Sequence, residues 1–107
     1  MSTQAETAES FGREQGCTVT EWLRWLPGAV GPHALHLAGQ GRATVAIGSG
    51  PTVVGHLHLT WTELPPRQIA LMRMPRLQVD YRFDGVDGPT RTAFMRYFDL
   101  YLQRGGG

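Results

Sequence analysis

The segment from residue 76 to residue 104 constrains the fold most, because its hydrophobic period changes once along its length. Apolar side chains occupy every second position from Leu77 to Phe83, with polar residues between them, which is the period of a strand with one buried and one solvated face. After the turn at Gly85–Pro89 the apolar residues recur at helical spacing. A strand followed directly by an amphipathic helix favours an α+β fold in which the helix covers a sheet.

A first helix is predicted from Thr18, because Thr18-Val19-Thr20-Glu21 has the form of a capping box in which the threonine hydroxyl and the glutamate side chain each satisfy a backbone amide. Its apolar side is formed by Val19, Trp22, Leu23, Trp25 and Leu26. Pro27-Gly28 is expected to end the helix. We interpret the two tryptophans, Trp22 and Trp25, as core anchors, with ligand stacking as the alternative.

The middle of the chain contains extended segments separated by turns. The predicted strands are 33–38, 42–48, 52–63 and 67–84, with a turn at 48–51 and a strand end at Leu64-Pro65-Pro66. The predicted fold is therefore α+β, with an antiparallel meander sheet of about four strands and an N-terminal and a C-terminal helix packed on one of its faces. The covered face should carry Leu57, Leu59, Trp61, Val79, Tyr81 and Phe83.

The chain of 107 residues has the length of one domain. Residues 1–16 are polar, with Phe11 as their only large apolar side chain, and we expect them to form a disordered N-terminal tail. Residues 17–104 form the predicted α+β domain. Residues 105–107, which are all glycine, form a predicted flexible tail.

Composition indicates a globular protein, since 41% of the residues are apolar and 18% are charged. The sequence has no apolar run of transmembrane length and no signal-peptide pattern. Its single cysteine, Cys17, agrees with a reducing compartment. We expect a bacterial-type protein in the cytoplasm with no membrane partner.

The charge distribution argues against nucleic acid as a partner. All ten basic residues are arginine, but the formal net charge is only +1, whereas nucleic-acid binding usually needs a clear basic excess. An RNA-binding sheet also needs exposed aromatic rings, and the aromatic residues Trp61, Tyr81 and Phe83 have the parity of the buried face.

One pair of histidines suggests a metal site. His56 and His58 share a strand face, and a chain reversal at Pro65-Pro66 would bring Met72 and Met74 opposite them. Two imidazoles with two thioethers suit Cu(I). The alternative is that the histidines lie on the open sheet face and the methionines fill gaps in packing.

The C-terminal helix carries more apolar surface than one packing contact explains. Its aromatic stripe consists of Phe94, Tyr97, Phe98 and Tyr101. With its apolar neighbours this arc is about twice the roughly 100° that one sheet contact requires. The helix should therefore contact the sheet and, in addition, either the first helix or a second subunit. Our leading interpretation is a non-enzymatic protein-binding or adaptor module that uses this stripe to bind another protein or a second copy of itself as a homodimer.

No catalytic residues are predicted, because the sequence shows no phosphate-binding loop and no nucleophile arrangement. No cofactor is predicted either. The end Arg104-Gly105-Gly106-Gly107 resembles the flexible diglycine end of ubiquitin-like modifiers and sulfur carriers. This resemblance implies a carrier that uses its C-terminal glycine, whereas an ordinary helix stop followed by flexible glycines is the other interpretation.

Overall fold

A computed structural model of the protein describes residues 6–49 and 51–104. The elements are β1 (Ser10–Gln15), α1 (Val19–Ala29), β2 (Ala34–Leu37), β3 (Arg42–Ser49), β4 (Thr52–Ile69), β5 (Met72–Asp84) and α2 (Gly88–Gln103). In this described part of the chain, five strands form one antiparallel sheet in the order β1-β5-β4-β3-β2. The predicted α+β class and antiparallel sheet are confirmed, with five strands in place of about four.

The additional strand comes from the segment predicted to be disordered. Ser10–Gln15 pairs with β5 at the edge of the sheet, so the prediction of a mobile tail is wrong for these residues; residues 1–5 lie outside the described part. Phe11 stacks on Tyr81, and Arg13 donates to the Asp99 carboxylate of α2 at 2.5 Å. These contacts and the backbone ladder stabilise a strand whose polar composition alone would not order it.

Helix α1 begins as predicted and ends slightly later. The Thr18 hydroxyl accepts from the Glu21 amide at 3.1 Å, and the Glu21 carboxylate accepts from the Thr18 amide at 2.9 Å. The helix continues through Pro27, which lies in its last turn, to Ala29. The chain leaves the helix at Gly31, whose φ of 63° suits a residue without a Cβ.

The core lies between one face of the sheet and both helices. Trp22 of α1 is fully buried and contacts Trp61 of β4 and Phe98 of α2 edge to face, at centroid distances of 5.8 and 6.0 Å. This arrangement agrees with the interpretation of Trp22 as a core anchor. The predicted core residues Leu57, Leu59, Trp61, Val79, Tyr81 and Phe83 are all buried.

Strand β4 extends further than predicted and β5 begins later, which changes the position of the chain reversal. Pro65-Pro66 does not end β4; the register shifts there, as in a β-bulge, and the strand continues to Ile69. Ile69 pairs with Met72, so the reversal occurs at Ala70-Leu71. Ala70 has a φ of 54° in a two-residue turn where glycine, asparagine or aspartate would normally signal a hairpin.

Candidate functional site

The ends of β4 and β5 form a two-stranded arm that projects from the domain. We define the arm as residues 65–74; each of them is exposed. The radius of gyration is 14.7 Å, compared with about 13 Å for a compact chain of this length. The arm therefore makes the molecule more extended than its core requires.

Large apolar side chains are concentrated on this arm. Their exposed fractions are 52% for Ile69, 99% for Leu71, 64% for Met72 and 43% for Met74. Single exposed apolar residues are common on protein surfaces, whereas a contiguous group marks an interaction site. Leu71 is at the tip, directly after the strained Ala70, and strained backbone is frequent at functional sites.

The arm and its base are also basic. Arg67, Arg73 and Arg76 lie between Glu63 and Asp80, with no acidic residue between those two positions. Glu14 of β1 accepts from Arg76 in a bidentate pair at 2.8 and 3.0 Å, and Arg67 lies 3.8 Å from the same carboxylate. The hydrogen bonds from Arg76 lower the pKa of Glu14. In the described residues Arg73 is in no ion pair.

The two sides of the arm differ. Odd-numbered side chains of β5 from Leu77 to Phe83 lie in the core, so Arg73 and Pro75 lie on the same, helix-covered side of the strand. Glu63, which is paired with Leu77, lines one concave surface together with Arg73 and Pro75. We call this the inner side of the arm. Met72 and Met74 have the opposite parity and form the outer side.

An apolar groove adjoins the base of the arm on its inner side. Its volume is about 540 Å³. We call it the basal groove; it is lined by Val19, Leu23, Leu37, Gly39, Gln40, Gly41, Trp61 and Glu63. Leu37 is 60% exposed and Leu23 is 39% exposed. Its wall is thus mostly apolar and carries one carboxylate.

The aromatic stripe predicted to bind a partner is divided between core and surface. Phe94 and Phe98 are buried, so the prediction is wrong for these two residues. Tyr101 is half-buried against α1, where a Cβ at Gly28 would overlap its ring. Tyr97 is exposed. The wide apolar arc exists because α2 packs on the sheet and on α1, the first of the two alternatives given for its second contact.

The four predicted metal ligands do not converge. The rings of His56 and His58 share the open sheet face with centroids 6.2 Å apart, but their partners on β5 are Asp84 and Arg82. Met72 pairs with Ile69, and Met74 pairs with Arg67. The predicted His/Met cluster is wrong because the chain reverses at Ala70-Leu71 and not at Pro65-Pro66, which moves both methionines along the arm.

Three remaining points concern metal ions, the membrane and the C-terminal glycines. Within residues 6–49 and 51–104, no group of three or more His, Cys, Asp or Glu is placed to hold a metal ion. No helix in these ranges is long and apolar enough to cross a membrane. The glycines proposed as a carrier end, 105–107, lie outside the described residues.

Neither the arm nor the basal groove was predicted from the sequence. The arm had a signal, since no acidic residue occurs between Glu63 and Asp80 and the apolar residues at 69–72 lose the alternation seen after Leu77. The groove had none, because it combines residues from α1, β2 and β4.

No protein-family model matches the chain, and no curated protein or solved structure is significantly similar to it.

Proposed function

We propose that this protein is a non-enzymatic protein-binding module and that the arm is its contact element. The observation that carries the proposal is the group of exposed apolar side chains at the end of the projecting hairpin, with Leu71 almost completely exposed. Burial of such side chains in a complex is favourable because it removes apolar surface from water. Methionine adapts to irregular surfaces, and arginine is frequent among residues that dominate interface energies.

A protein partner is favoured over nucleic acid and over a lipid surface by the charge of the arm. Glu14 engages Arg76 and Arg67, which leaves Arg73 without an ion pair in the described residues. One such arginine contributes about 1 kcal/mol at an anionic membrane, and phosphate-backbone binding commonly uses many basic contacts. An apolar tip with a single free arginine is better matched by a protein surface.

Photo-crosslinking tests the proposal. A benzoylphenylalanine placed at Leu71 is expected to form covalent adducts with protein in cells that produce the chain. The same group at Arg96, an exposed position on α2, is the matched control and should give few adducts. Equal yields at both positions, or adducts at Leu71 only with lipid or nucleic acid, would contradict a role of the arm in protein binding.

A further inference from the structure

Building on the proposed function, we infer that the arm binds a second copy of this chain. The two copies run antiparallel about a two-fold axis near Pro75, so that each arm lies along the base of the other copy's arm and each tip enters the basal groove of the other copy. The interface is thus made of one arm and one groove from each copy.

The strand register places the required groups at matching distances from Pro75. An antiparallel two-fold pairing brings residues at equal distances on either side of the axis to the same level. Arg73 then lies at the level of Leu77 in the other copy, which is paired with Glu63. Leu71 lies at the level of Val79, which is paired with Trp61, and Trp61 lines the basal groove.

Both contacts formed in this way are chemically complementary. Arg73 and Glu63 have opposite charges, and in the described residues neither takes part in an ion pair within its own chain. The Leu71 side chain, which is 99% exposed, enters a groove whose walls include Leu23 and Leu37. One symmetry operation therefore satisfies a charge contact and an apolar contact at once.

The symmetry also determines the size of the assembly. Because each copy uses the same arm and the same groove, the contact is isologous and closes at a dimer. The outer sides of the arms, with Met72 and Met74, stay on the dimer surface and remain open to a further protein. Since the contact is limited to two arms and two grooves, we expect a weak dimer whose population rises with protein concentration.

Sedimentation equilibrium on the full chain tests the pairing. Leu71→Asp damages the tip and Leu37→Asp damages the groove, and each variant alone should weaken dimerisation by roughly tenfold or more. An equimolar mixture of the two should form a heterodimer, because the tip of the Leu37→Asp copy meets the intact groove of the Leu71→Asp copy. Val53→Asp, which changes another exposed apolar residue, is the matched control and should dimerise like the wild type.

Charge reversal supplies an independent measurement. Arg73→Glu and Glu63→Arg should each weaken the dimer, and the double variant should recover most of the affinity because the ion pair is re-formed with exchanged signs. Far-UV circular dichroism of each variant should match that of the wild type, since both positions are exposed.

The outcomes separate this inference from the proposed function. A wild-type chain that stays monomeric at 200 μM, or a dimer that Leu71→Asp and Arg73→Glu leave unchanged, would overturn the two-fold pairing. If adducts at position 71 then contain a different protein, the proposed function still stands. If position 71 gives no protein adduct either, both proposals fail.

Discussion

The ring of Phe11 in β1 lies almost parallel to the ring of Tyr81 in β5, with centroids 4.7 Å apart and 10° between their planes. Phe11→Ala should therefore lower the free energy of unfolding by about 2 kcal/mol, less than for a fully buried phenylalanine because Phe11 is half-buried. Urea unfolding followed by the fluorescence of the buried tryptophans measures the change. Ser10→Ala, on the exposed side of the same strand, should stay within about 0.5 kcal/mol of the wild type. Equal stabilities of all three chains would contradict an ordered β1.

Gly55 of β4 approaches the backbone of Asp84 so closely that a Cβ at position 55 would lie 2.5 Å from its carbonyl oxygen. Gly55→Ala should lower the free energy of unfolding by about 1–3 kcal/mol, because backbone atoms must move to admit the methyl group. The matched control is Gly16→Ala, where nothing lies within 4 Å of the added Cβ. Thermal unfolding of both variants checks the prediction, and an equal melting temperature for the two would contradict the close approach.

Thr18 caps α1 through its hydroxyl, which accepts from the Glu21 amide. Thr18→Ala should lower the free energy of unfolding by about 1 kcal/mol, because that amide loses its partner. Thr20→Ala, an exposed position inside the same helix, removes a hydroxyl without removing the cap and serves as the control. Chemical unfolding that shows the larger loss for Thr20→Ala would contradict the capping role.

Burial raises the pKa of the Cys17 thiol to about 11, compared with 9.0 for a free thiol. Because the folded state holds this proton more tightly, the stabilising contribution is complete below pH 9 and is lost as pH rises from 9 to 11. The stability of the wild type should fall more steeply over this range than that of Cys17→Ala. Urea unfolding at intervals between pH 8 and pH 11 measures both slopes, and parallel curves would contradict the assignment.

The same burial predicts that Cys17 reacts slowly with thiol reagents at pH 8, because the thiolate is the reactive form. Reaction with a chromogenic disulfide should accelerate strongly in urea, where the side chain becomes accessible. Fast labelling of the folded protein would show that Cys17 is more accessible than its exposed fraction of 3% indicates.

Local signals correctly identified the features that are encoded within a few consecutive residues. The capping box of Thr18 and Glu21, predicted from the sequence, occurs in the structure. The period-two pattern from Leu77 to Phe83 identified the buried side of β5. In each case the signal lies within a few consecutive residues, so the local pattern alone carries the information.

The hairpin reversal could not be found in the same way, because Ala70 occupies a turn position with positive φ where the usual signal would be glycine. Pro65-Pro66 is a stronger turn signal, and the chain reversal was therefore predicted there. The misplaced reversal also led to the incorrect prediction of a metal cluster, since the position of Met72 and Met74 relative to His56 and His58 depends on the strand register. The partner-binding site was predicted on α2 because of the wide apolar arc of that helix, whereas the structure exposes apolar side chains on the arm.

The sequence by itself determined the fold class, the two helices and the buried side of the central strands, because periodicity and capping are local properties of the chain. Only the tertiary structure decided that Ser10–Gln15 is a strand and that Phe94 and Phe98 belong to the core. It also decided that Glu63, at the base of the arm, lines one concave surface with Arg73 of the arm. These outcomes depend on contacts between residues far apart in the chain, such as Arg13 with Asp99. The free energy of these contacts depends on which surfaces the fold brings together, so no local sequence pattern predicts it.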